Sequence, residues 1–273
     1  MRVIDARVRL RTQPLMKAWT TELNPVFEDY IDLYNMSSRL SVIPVEELLE
    51  YALESGIEKM VVCGGNPEDN NHILGVSRQF PQIIPVAGVG LADGVLHALE
   101  QIKRCQDEGF AAINLSPFAA KRDINDRLYY PLYAYSEFIG MPVIMHASIH
   151  FWRGAYMWHG QPQYVDEVAV DFPTLKIIMS HGGNGFGPIV LAVAQRHRNV
   201  FLEFSALTPS YMAPEFLRAA NTYLKRRCLF GTDYPLMEFG KAVDLWKAAL
   251  RDDVWELFFY QNVLDALQID SEK

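Results

Sequence analysis

Three charged residues occupy alternate positions of an otherwise apolar stretch near the start of the chain. They are Asp5, Arg7 and Arg9, within Val3-Ile4-Asp5-Ala6-Arg7-Val8-Arg9-Leu10. The alternation predicts a strand with Ile4, Ala6, Val8 and Leu10 on one face and the three charges on the other. Charges on one strand face are expensive to bury without partners, so the segment is either an exposed edge or part of a site. A guanidinium stays protonated and has no lone pair for a metal. Two of them suit a carboxylate, each offering a fork of N–H donors.

Other apolar segments end in groups that could do chemistry. Residues 110–116 end in Asn114 and Ser116, and 142–147 in His146, with Ser148 and His150 following. Residues 175–181 end in His181, 199–205 carry Glu203 and Ser205, and 227–232 lead into Asp233. Imidazoles and carboxylates are the usual general acids and bases. Their recurrence at one relative position points to a shared site rather than to isolated structural histidines. The glycines of Gly182–Gly187 miss the G-x-G-x-x-G spacing. They are expected to let loop backbone approach a ligand, with amides near a helix start able to hold an anion. No P-loop, G-x-S-x-G or H-E-x-x-H pattern occurs.

These groups need a scaffold of alternating strands and helices. Strands are predicted at 2–10, 58–64, 83–90, 110–116, 142–147, 175–181, 199–205 and 227–232, each apolar as for parallel strands covered on both faces. Helices are predicted from Pro44 onward and at about 94–108, 129–139, 163–171, 187–197, 214–225 and 240–250, with a closing helix at 254–267 carrying Asn262. Eight such units predict a single (β/α)8 TIM barrel over 1–273, with a doubly wound open sheet as the rival. Long loops follow strand 1 (11–43, with Trp19, Phe27, Tyr30 and Tyr34) and strand 5 (148–162, with Trp152, Arg153, Tyr156 and Trp158). Both lie where a barrel keeps its active site, as binding loops or lids. Trp152 and Tyr156 read either as pocket floor or as a packed cover. Arg153 could reach an acidic substrate.

The net charge of −8 and the lack of a basic run argue against nucleic acid as a partner. No leader and no apolar run of membrane length is visible, so the chain reads as soluble and cytoplasmic. Cys63, Cys105 and Cys228, odd in number and far apart, read as plain thiols.

The segments Pro142-Val143-Ile144-Met145-His146, Phe172-Pro173-Thr174-Leu175-Lys176-Ile177-Ile178-Met179-Ser180-His181-Gly182-Gly183 and Leu229-Phe230-Gly231-Thr232-Asp233-Tyr234-Pro235 resemble signatures of the amidohydrolase superfamily. The nearest branch is the amidohydrolase-related group with aminocarboxymuconate-semialdehyde decarboxylase, resorcylate decarboxylases and pyrone-dicarboxylate lactonase. The resemblance spans almost the whole chain and implies a distorted TIM barrel. It also implies one divalent metal, often zinc, held by an H-x-H pair on strand 1, a histidine ending strand 5 and an aspartate ending strand 8. His146 and Asp233 match those last two ligands, and His181 matches the strand 6 acid/base. The H-x-H positions hold Arg7 and Arg9.

A metal is thereby impaired, with His146 and Asp233 as remaining ligands if one is retained, and no cofactor is favoured. The two guanidiniums would supply positive charge where the metal's would be, clamping a carboxylate and stabilising an oxyanion. Pyrone-dicarboxylate lactonases, understood to work without metal, offer a precedent. The expected function is a hydrolase of a small cyclic or aromatic carboxylic acid. Asp233, His181 and His146 would be catalytic, and Arg7, Arg9, Asn114, Trp152, Arg153 and Tyr156 would bind substrate. The alternatives are a non-oxidative decarboxylase of an aromatic or muconate-type acid, and an inactive small-acid binder whose arginines merely pair with Asp5, Glu203 and Asp233. A homodimer is compatible with all three readings.

Overall fold

The computed structural model describes residues 1–17, 31–32, 34–150 and 154–270. Eight parallel strands run in sequence order around one sheet. They are β1 (Ile4–Val8), β2 (Lys59–Cys63), β3 (Ile83–Gly88), β4 (Ala112–Leu115), β5 (Val143–Met145), β6 (Ile177–Met179), β7 (Val200–Glu203) and β8 (Cys228–Leu229). β8 and the segment after it return to β1. The Ala6 amide donates to Phe230 O at 2.9 Å, the Asp233 amide to Arg7 O at 2.8 Å and the Arg9 amide to Tyr234 O at 2.9 Å. Each strand falls within a predicted segment, and the sheet is a (β/α)8 TIM barrel rather than the open alternative.

Two apolar layers hold the barrel. Ile4, Ala6, Val61, Val86, Ala112, Ile144, Ile178, Phe201 and Leu229 pack together on the inside. Val8, Leu10, Met60, Val62, Ile113, Val143 and Ile177 pack outward among the helices. Here the predicted β1 pattern is corrected. Ile4 and Ala6 face inward while Val8 and Leu10 face outward, because the pairing register with β2 shifts between Asp5 and Val8. The irregularity flips the alternation, so Arg7 can join the interior with Ile4 and Ala6.

The predicted helices appear at Val45–Glu54, Val95–Glu108, Tyr130–Ile139, Pro162–Asp171, Ile189–Arg196, Pro214–Asn221 and Phe239–Ala249. A further helix, Pro67–Gln79, lies outside the predicted segments. It is mostly polar and buries only Asn70, Ile73, Leu74 and Val76, so its apolar period is faint. Its start is nevertheless well specified, with Pro67 in the first turn and the Asn66 side chain accepting from the Asp69 amide at 3.0 Å.

The C-terminal segment covers the N-terminal end of the barrel. Tyr260, Val263, Leu264, Ala266 and Leu267 join the interior cluster, and Asn262 Nδ2 donates to Lys225 O (2.9 Å) and Cys228 O (2.7 Å). Among the described residues, no helix is long and apolar enough to cross a membrane. Trp19, Phe27, Tyr30, Trp152 and Arg153 lie outside the described residues.

Candidate active site

The C-terminal ends of β1, β6, β7 and β8 meet around Arg7, which is only 2% exposed. Asp5 prepares this junction. Its carboxylate accepts the Arg7 amide and the Thr232 amide, both at 3.0 Å, and the Thr232 hydroxyl at 2.6 Å. The bulge in β1 therefore leaves no stranded amide at Arg7, and the loop carrying Asp233 is tied to β1. Burial pushes the Asp5 carboxyl up to about 7 despite these bonds.

Arg7 lies between two acids. Its Nε is 3.3 Å from Asp233 Oδ1 and its Nη1 is 3.8 Å from Glu203 Oε2. Nη1 also donates to Ser180 Oγ at 3.0 Å and lies 3.9 Å from Cys63 Sγ. Glu203 Oε1 accepts the Ser205 amide, whereas Oε2 has no hydrogen-bond partner among the described residues. Burial pushes Glu203 up to about 7, with Arg7 pulling the other way. Arg9 is placed differently. Its side chain keeps 20% of its surface, Nη1 donates to Cys63 O, and Nε is 3.9 Å from Asp233 Oδ1. Arg7 is thus the enclosed charge, and Arg9 the more exposed one.

His181 follows β6 with its Nδ1 2.9 Å from Ser205 Oγ and 3.2 Å from Ser205 O. His146, at the end of β5, brings its ring to 4.9 Å from that of His181. Burial, then the positive charge of Arg7, holds His181 down at about 3. Burial, then His181 and Arg7, holds His146 well below the usual imidazole range. Both rings are neutral in the resting site. They can donate or accept a hydrogen bond, but they are poor proton acceptors until an anion arrives beside them. His181 (φ 56°) and Asp233 (φ 53°) both have left-handed backbone, a conformation that costs a non-glycine residue roughly 1–2 kcal/mol. Such strain clusters at functional sites.

Other predicted site residues fall unevenly. Asn114 is buried on β4 with Oδ1 unpartnered among the described residues. Tyr156 is 76% exposed and stands outside the buried group. The glycines after β6 have a steric role. A Cβ on Gly182, Gly183 or Gly185 would come within 2.4, 2.4 and 2.1 Å of Phe204, Val190 and Ile149 respectively. They let this segment pack closely against side chains from the ends of β5 and β7 and from the helix Ile189–Arg196. Ser180, Cys63 and Phe118 were not foreseen as site residues. Ser180 could have been found by stepping two residues along β6 from the inward Ile178. Cys63 and Phe118 look in the sequence like ordinary apolar residues.

The donors do not fit a divalent cation. Asp233, the strand 8 acid, is already engaged by two guanidiniums. No group of three or more His, Cys, Asp or Glu side chains among the described residues could hold a metal.

The amidohydrolase family pattern matches residues 45–266, leaving β1 with Arg7 and Arg9 outside the matched span. The chain belongs to the amidohydrolase family. No curated protein matches it. Among solved structures it is similar to an uncharacterized TIM-barrel protein from Bordetella bronchiseptica, at 25% identity and TM-score 0.84, covering 98% of this chain and 100% of that one. It shares the fold of a 5-carboxyvanillate decarboxylase from Novosphingobium aromaticivorans with bound manganese, at 14% identity and TM-score 0.72, covering 98% and 97%. It also shares the fold of a candidate 2-pyrone-4,6-dicarboxylic acid hydrolase from Pseudomonas putida, at 16% identity and TM-score 0.67, covering 97% of each chain.

Proposed function

We propose that this amidohydrolase opens a lactone or amide in a small cyclic or aromatic carboxylic acid, with Arg7 and Arg9 taking the electrostatic role of a metal. The observation that carries this reading is Asp233 beside two guanidiniums, one enclosed and one reaching the barrel mouth. Arg9 holds the substrate carboxylate or the oxygen on which negative charge develops. Asp233 takes a proton from water as the water oxygen bonds to the carbonyl carbon. The C–O or C–N bond then breaks, and the same proton passes to the leaving oxygen or nitrogen. Neutral His181 and His146 orient the water and substrate by hydrogen bonds, and Asn114 Oδ1 accepts from a substrate hydroxyl or N–H. A guanidinium does not lower the pKa of bound water as zinc does, so the base must be a side chain.

Titration with benzoate, turnover of a panel of lactones and amides, and elemental analysis of untagged protein test this together. A guanidinium–carboxylate contact contributes about 1.5–3 kcal/mol. Arg9→Ala should therefore weaken benzoate binding roughly ten- to a hundredfold, with Arg9→Lys recovering part of it. Asp233→Asn should keep binding and lose turnover. Metal should be well below one equivalent, and stoichiometric metal surviving dialysis would overturn the charge-substitution reading. Release of carbon dioxide from an aromatic acid would move the enzyme to the decarboxylases. An acid-binding protein that turns over nothing in the panel would be the inactive descendant, in which the Arg7–Asp233 pair is merely structural.

A further inference from the structure

His181 is pinned at one of its two ring nitrogens and unbonded at the other. Its Nδ1 lies 3.2 Å from the Ser205 carbonyl oxygen and 2.9 Å from Ser205 Oγ. Its Nε2 makes no hydrogen bond among the described residues. Two left-handed residues bring ring and carbonyl together: His181 itself at φ 56°, and Ala206, directly after Ser205, at φ 55°. The Ser205 carbonyl has left the β7 ladder and accepts no backbone amide among the described residues. A series of rings holds the imidazole from the side. His146 meets it at 4.9 Å and 62°, Phe118 backs His146 at 4.6 Å and 67°, and His150 stacks on Phe118 at 4.4 Å and 23°.

A carbonyl oxygen can only accept, so the 3.2 Å contact requires a hydrogen on Nδ1. The hydroxyl contact alone would allow either sense, but the hydroxyl hydrogen has an acceptor of its own. Burial raises the Glu203 carboxyl, and Arg7 and then the Ser205 hydroxyl oppose it, which a hydroxyl does by donating to the carboxylate. Ser205 Oγ is then left to accept from Nδ1. With the hydrogen on Nε2 instead, the Nδ1 lone pair would face the lone pairs of a fully buried residue's carbonyl, and that carbonyl would go without a donor. The loss biases the ring roughly five- to a hundredfold toward the Nδ1–H form. We propose that Ser205 locks His181 in the Nδ1–H tautomer, so that Nε2 presents a lone pair and the site takes a hydrogen-bond donor there, a water, hydroxyl or N–H, and not an oxyanion. Ser205 is thus a positioning residue, acting through His181. The proposal rests on the hydrolase reading above and divides its labour: His181 accepts from the attacking water or a neutral group of the substrate, while developing negative charge falls to Arg9.

Nitrogen-15 spectra of the histidine rings read the tautomer directly, because a ring nitrogen bearing hydrogen and a bare one resonate far apart. The chain has seven histidines, and the signals missing from His181→Gln identify those of His181. In the wild type at neutral pH, Nδ1 should carry the hydrogen and Nε2 should be bare, by at least about fivefold. That is the reverse of the form an imidazole favours in water. Ser205→Ala keeps the carbonyl and should keep the pattern, with its melting temperature reporting that it is folded. Added benzoate should also leave Nε2 bare. Hydrogen on Nε2 in the wild type, in Ser205→Ala or after benzoate is added overturns the lock. The readout on the free protein needs neither ligand nor turnover, so the two readings separate. A bare Nε2 in a protein that turns over nothing in the lactone and amide panel keeps the lock and removes the hydrolase. Turnover with hydrogen on Nε2 does the opposite.

Discussion

Arg7 and Arg9 are two residues apart in the chain and do different work. Arg7 is sealed among Asp233, Glu203 and Ser180, so its removal strands buried carboxylates, a change that costs about 3–5 kcal/mol. Arg9 is the more exposed of the two, and its removal forfeits one hydrogen bond to Cys63 O and one contact with Asp233 rather than a sealed cluster. Glu203 gives the cluster a pH signature. Its carboxyl holds a proton up to about 7 in the fold, against 4.5 as its ordinary value. Its contribution to stability is complete below about 4.5 and is lost as pH rises through 7. His181 works in the opposite sense. It stays neutral down to about 3 against an ordinary 6.5, so its contribution is present above 6.5 and lost as pH falls toward 3. The two oppose each other between about 4.5 and 6.5. Glu203→Gln removes one of them, so its melting temperature should climb more steeply with pH across that window than the wild type's. Melting curves at half-unit pH steps measure this, and parallel profiles would show that Glu203 does not hold its proton.

At the scale of elements, the loop after β1 is fastened to the loop after β8 by two buried arginines. Arg39 Nε donates to Pro235 O at 2.7 Å, and its Nη2 donates to Tyr34 O at 2.8 Å and Leu236 O at 3.0 Å. Arg11 Nη1 donates to the Tyr234 hydroxyl at 2.9 Å, and its Nε to Ser41 O at 2.7 Å. Asp233 is immediately next to this clasp in sequence, so the arginines fix the loop that presents it. Removing Arg39 leaves two buried carbonyls and one part-buried carbonyl without that donor, and Arg39→Ala should destabilise the fold by about 2–3 kcal/mol. Turnover should fall more than benzoate affinity, because the Asp233 loop loosens while Arg9 stays directly behind β1. Urea unfolding and steady-state kinetics on one preparation test both halves, and a stable variant with normal kinetics would show that the clasp is dispensable.

At the scale of the whole molecule, the barrel is closed at one end by its C-terminal segment and gathers its buried charged groups at the other. The closing segment contributes Tyr260, Val263, Leu264, Ala266 and Leu267 to the interior layer. Asn262 is its polar anchor, donating to two carbonyls at the entrance to β8. Asn262→Ala leaves those carbonyls short of a donor and should lower stability by about 1–3 kcal/mol, read from denaturant midpoints. A chain ending before residue 254 exposes the inner layer to water and should not yield soluble folded protein. Normal circular dichroism from that truncation would show that the plug is an accessory.

The barrel was legible in the sequence because its signal is repeated. Eight apolar runs, each buried on both faces, announce themselves one at a time, and their strand ends carried His146, His181 and Asp233. The chemistry of Arg7 and Arg9 was legible too, since no fold gives a guanidinium a lone pair for a metal. Which arginine is enclosed was not. That depends on a register shift inside β1 that moves Arg7 into the interior, and a shift of one residue leaves no mark on composition or period. The partners of the Arg7 side chain lie on β2 and β7, just past β6 and in the loop after β8, at least 56 residues away in the chain. The ring series of Phe118, His146, His150 and His181 comes from three strand ends. Contacts of that kind exist only when the sheet has closed, so tertiary structure alone decided them.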